Sequence, residues 1–139
     1  MNRADFQRIA EMRIAEAHAL MASAPPHPSG AYYLAGYAVE CALKATICKR
    51  YQMHDWPERK FVLDSHTHDL KTLCRLAELA AERENEAKAN VKFSEYWALV
   101  FDWEEGRRYV EIKIKTAIEF IEAISDPLVG LLPWIKNRW

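Results

Sequence analysis

A chain of 139 residues, half of them hydrophobic and 28% charged, is long enough to bury a core without staples and too apolar to be disordered. Its net charge of −1 excludes a strongly basic nucleic-acid binder, and its four glycines argue against a turn-rich β fold. Three cysteines, Cys41, Cys48 and Cys74, with no Cys-x-x-Cys pair, fit neither a disulfide framework nor a zinc knuckle. They read as free thiols of a reducing cytoplasm. No stretch approaches the roughly 20 apolar residues of a membrane span, and the first residues lack the apolar run of a signal peptide.

The predicted elements are all helical. Phe6, Ile9, Ala10, Met12, Ile14, Ala17, Leu20 and Met21 recur at helical spacing and predict a first helix over about residues 2–23, stopped by Pro25 and Pro26. A second helix is expected over about 30–51, with Ser29 as its cap. Tyr32, Ala35, Gly36, Val39, Ala42, Leu43 and Ile47 fill one broad face of it. Leu34, Ala38, Cys41 and Ala45 fill much of another. A helix apolar nearly all round belongs in the middle of a bundle. One narrow stripe is polar: Tyr33, Tyr37, Glu40 and Lys44.

Residues 52–67 read as a long connection. Lys44, Lys49, Arg50, Arg59 and Lys60 outnumber Asp55 and Glu58 around it, which is either a solvated loop or a patch that steers anions. Asp64, Ser65 or Thr67 is expected to cap a third helix over about 68–83, with Leu79 off its apolar stripe. Residues 82–90 are polar enough for a solvated helix or a loop. A short helix follows over about 93–103. The last helix is expected to start near Arg107 or Val110 and to end at Ser125, before Asp126-Pro127. The apolar tail from Leu128 to Ile135 docks back on the bundle or on a second subunit. The expectation is one all-α domain over 1–139, an up-and-down bundle of about five helices.

The stretch Tyr32-Tyr33-Leu34-Ala35-Gly36-Tyr37-Ala38-Val39-Glu40-Cys41-Ala42-Leu43-Lys44-Ala45 resembles the second helix of bacterial HEPN proteins. His68-Asp69-Leu70, Trp103-x4-Arg108-Tyr109 and the ending Asp126-Pro127…Gly130…Leu132-Pro133-Trp134-Ile135 follow in that family's order. The resemblance implies a helical bundle that often forms homodimers and works in the cytoplasm with RNA or nucleotides. It implies the toxin or accessory half of a toxin–antitoxin or phage-defence pair, with a nucleotidyltransferase antitoxin as partner. Catalytic members are metal-independent ribonucleases with Arg-x4–6-His near the start of a late helix.

Two segments match that spacing. Arg13-x4-His18 lies on the first helix, where five residues set the side chains roughly 140° apart. Arg59-x6-His66 lies before the third helix, and Lys60 follows the arginine. Either Arg59 and His66, helped by His68, hold a phosphate and move a 2′-hydroxyl proton, or they are ordinary loop residues. His66-Thr67-His68 matches no named metal motif, and no metal or cofactor is expected.

Glu40 and Lys44 form an i,i+4 pair on a helix that looks buried, so both charges need partners. His68, Arg108 and the Tyr33 and Tyr37 hydroxyls are candidates, with Tyr109 beside Arg108. The cluster is either an ionic network that fixes helix register or a cleft for a small anionic ligand, with Lys44 and Arg108 as anion holders. Tyr96, Trp97, Phe101, Trp103, Tyr109, Trp134 and Trp139 either stack bases or build the core or a subunit interface.

Overall fold

The computed structural model describes residues 1–51 and 58–139. Among them are eight α-helices, one 3-10 turn and no strand. The protein is an all-α bundle.

α1 (Arg3–Ala22) starts where Asn2 and Asp5 cap each other, each side chain accepting from the other's backbone N–H at 3.1 and 3.0 Å. It buries Ala10, Ile14 and Ala17 against α2 (Pro28–Arg50). α2 begins with Pro28 at its first position, where the missing N–H costs nothing. Ser29 therefore lies inside the first turn and is not the cap. Its hydroxyl instead accepts from the Ile112 N–H at 2.9 Å.

α2 is the interior helix the sequence predicts, buried from Ala31 to Ile47 on more than one face. α1, α4, α7, α8 and the 3-10 turn all pack on it. Its alanines let these neighbours come close, and Gly36 allows the closest approach: the Trp103 indole lies flat on the bare backbone there.

The expected long connection differs in its second half, which folds as α3 (Arg59–Ser65). Its first half, with Asp55 and Pro57, lies outside the described residues. The single third helix is two. Asp69, not Asp64, Ser65 or Thr67, caps α4 (Leu70–Leu76) by accepting from the Thr72 N–H at 2.9 Å. The chain then turns through Glu78 at φ 56° and continues as the solvated α5 (Ala80–Ala89). That turn aims Leu79 fully into the core.

α6 (Val91–Phe101) is capped by Asn90. The last long helix starts later than expected. Glu105–Tyr109 is the 3-10 turn, and α7 runs over Ile114–Ser125. The tail docks back as α8 (Leu131–Lys136), burying Leu131, Leu132, Trp134 and Ile135. Trp134 closes an aromatic cluster with Phe93 and Trp97 at ring separations of 5.4 and 5.7 Å. Tyr96, Trp97, Trp103 and Trp134 are thus core residues, whereas Tyr109 is 79% exposed. The bundle has more helices than the five or so expected because α3 and α8 are additional and the third is split. None of the described helices is long and apolar enough to cross a membrane.

Candidate functional site

Burial of a carboxylate is expensive unless charge and hydrogen bonds compensate it. Glu40 is 1% exposed in the middle of α2, and its neighbours supply that compensation. Lys44, one turn on, donates to Glu40 Oε1 at 2.8 Å. His68, just ahead of α4, places Nδ1 3.0 Å from both carboxylate oxygens. On the other side of the imidazole, Nε2 lies 3.3 Å from Glu105 Oε2. Glu105 also pairs with Arg108 at 3.1 Å, and the Arg108 guanidinium covers the Tyr109 ring at 4.9 Å. The result is a ladder, Lys44–Glu40–His68–Glu105–Arg108, in which basic and acidic groups alternate from α2 through the start of α4 to the 3-10 turn. Nδ1 hydrogen-bonds to Glu40 when that nitrogen carries the proton, whereas Nε2 and Glu105 make a looser charge contact.

Of the predicted cluster, Glu40, Lys44 and His68 meet directly. Arg108 joins only through Glu105. Sequence reasoning passed over that acid, although its i,i+3 spacing to Arg108 was a usable signal. Tyr33 and Tyr37 stack near each other, ring centroids 6.1 Å apart, and Tyr33 also packs on Trp103 at 5.9 Å. Neither hydroxyl bonds to Glu40 among the described residues. Burial, then the Glu40 charge, raises the Tyr37 phenol above its ordinary value.

Arg59 opens α3 and His66 follows its last residue, seven positions on and two turns away, with about 10 Å of helix rise between their backbones. Arg13 pairs with Glu16 at 2.6 Å, while His18 is exposed beyond it. His66 and His68 part company. His68 turns to Glu40, and His66 lines a groove of about 500 Å³ between α1, α2 and the end of α3. Tyr37, Cys41, Lys44 and Cys48 run along the α2 wall of that groove, opposite Phe6 and Ile9 of α1.

No family model, no curated protein and no solved structure matches the chain. The chemistry of the site therefore has to be read from its own side chains.

The thiols are muted. Burial, with the adjacent Glu40 charge, pushes Cys41 up to about 12; burial pushes Cys74 up to about 11. Burial raises half-buried Cys48 as well. In mildly alkaline buffer, N-ethylmaleimide is expected to modify Cys48 alone until the protein unfolds, read by peptide mass. Cys41 holds its proton more tightly folded than unfolded. Its contribution to stability is intact below the ordinary thiol value of 9.0 and is lost as the pH rises towards about 12.

Proposed function

We propose that this protein is a HEPN-type binding and interaction module of the bacterial cytoplasm. In this reading it associates with RNA or nucleotide as the toxin or accessory half of a pair with a nucleotidyltransferase, and it acts as a homodimer. One observation carries the proposal. Landmarks that resemble the family are far apart in sequence, yet they lock together: Gly36 under Trp103, the Glu40–Lys44 pair against His68, and Arg108 on the acid that holds His68. A motif set that builds one keystone is a scaffold signature, which favours a binding module over a hydrolase. The ribonuclease alternative rests on the Arg59-x6-His66 spacing alone: among the described residues no hydrogen bond or ion pair joins the two side chains.

The surface that suits self-association is on α7. Ile114 and Ile118, one turn apart, are 50% and 51% exposed, and Val110 and Tyr109 lead into them. Lys115 and Glu119 flank the stripe. An antiparallel copy sets each Lys115 against Glu119 of the other molecule, as an isologous interface requires.

Two measurements test the proposal. Fluorescence anisotropy with an RNA oligonucleotide is expected to show salt-sensitive binding without cleavage, unchanged in kind by Arg59→Ala or His66→Ala. Cleavage lost in both variants would replace the module with the ribonuclease. Light scattering after size exclusion is expected to show a dimer that Ile114→Asp with Ile118→Asp converts to monomer. A wild-type monomer that binds no RNA overturns the proposal.

A further inference from the structure

The groove beside the ladder has a chemistry of its own. Its α2 wall is a single helix face: Tyr37, Cys41, Lys44 and Cys48 follow at helical spacing. Phe6 and Ile9 of α1, with Ile47, make the rest of the wall apolar. Its volume of about 500 Å³ lies within the range of small-molecule sites.

One acid and its paired base, Glu40 and Lys44, line it, but they do not present themselves equally. Glu40 is 1% exposed and spends its oxygens on Lys44 and His68. Lys44 is 17% exposed, so of the pair it is the lysine side chain that the groove reaches. An ammonium has three donors. Among the described residues, Glu40 is the only recorded acceptor for Lys44, which leaves two N–H groups for a ligand. The Tyr37 hydroxyl lies two turns back on the same wall, and exposed His66 stands at the rim.

We infer that this groove binds a small apolar acid, a short alkyl or flat aromatic body carrying one carboxylate. The carboxylate sits on the Lys44 ammonium and the body lies along Phe6, Ile9 and Ile47. The inference does not rest on RNA association or on the α7 face, so it can fail while those stand. Cys48 lines the groove and is the reachable thiol, which makes it a built-in reporter.

Calorimetric titration of the full chain with octanoate tests the inference, with 1-octanol and adenosine 5′-monophosphate in parallel. Octanoate is expected to bind one to one and to slow maleimide modification of Cys48. The alcohol is expected to bind about ten-fold more weakly, the loss of one charge-assisted hydrogen bond. Ile9→Trp, which fills the groove, is expected to abolish octanoate binding with the helical circular dichroism intact. Lys44→Met is expected to bring octanoate down to the level of the alcohol. That variant also strips a partner from Glu40, so Ile9→Trp and the acid–alcohol pair decide the matter if it does not fold. Equal binding of acid and alcohol overturns the inference. So does binding that leaves Cys48 unprotected, a response to the nucleotide but not to octanoate, or no binding at millimolar octanoate.

Discussion

Gly36→Ala is expected to destabilise the fold by roughly 3 kcal/mol, the upper part of the ordinary overpacking range. The reason is steric and local. A β-carbon at Gly36 would fall closer than 3.0 Å to Nε1, Cε2 and Cδ1 of Trp103. The indole has nowhere to go, since Trp103 is itself fully buried. Tyr33 packs on the same ring, so the disturbance passes into the polar stripe of α2. The melting temperature should fall by about 10 °C. Urea midpoints read the loss directly, and the double variant Gly36→Ala with Trp103→Leu separates its cause. If the clash is the cause, the pair costs less than the two single changes added together. Strict additivity would mean that Gly36 serves some purpose other than making room for the indole.

Glu40→Ala has the second large effect. Removing the carboxylate strips the largely buried Lys44 ammonium of its acceptor, leaves His68 with Glu105 alone, and opens a hole in the middle of α2. Breaking a buried pair in this way costs about 3–5 kcal/mol. Replacing both charges by apolar side chains, Glu40→Leu with Lys44→Met, is expected to cost markedly less, because no stranded charge remains. A double-mutant cycle from denaturant unfolding measures the difference. If Glu40→Ala proves nearly neutral, Glu40 is not the compensated buried charge that its partners indicate, and the ladder holds nothing together.

The sequence was most informative where free energy is local. The apolar spacing from Phe6 to Met21 announces α1, and Pro25-Pro26 its end. The all-round apolar pattern of residues 31–47 places α2 inside the bundle. The apolar ending announced that the tail would dock. It was least informative at Glu78. A left-handed residue usually declares itself as glycine or asparagine, and here a glutamate takes φ 56°, so the helix expected through 83 gave no sign of breaking. The turn is supported from outside by Leu79 in the core and by the Arg50–Glu78 ion pair at 2.6 Å, and neither can be seen in a local window.

The polar cluster divides the same way. Glu40 and Lys44 are neighbours on one helix, so spacing alone paired them. His68 could be named only as one candidate among several, and Glu105 was missed, because what joins them is the return of the chain: His68 meets Glu40 after 28 residues, and Glu105 then meets His68. Likewise the pattern of α7 identifies apolar residues but not which of them lie bare.

The sequence by itself determined the helical class, the interior position of α2, the ends of α1, the end of α7 and the Glu40–Lys44 pair. Only the tertiary structure decided the break at Glu78, the helix within 59–65, the seating of Trp103 on Gly36, the completion of the charge ladder and the groove beside it. Helical periodicity is set by residues three and four apart, whereas these features depend on where distant segments come to rest against one another.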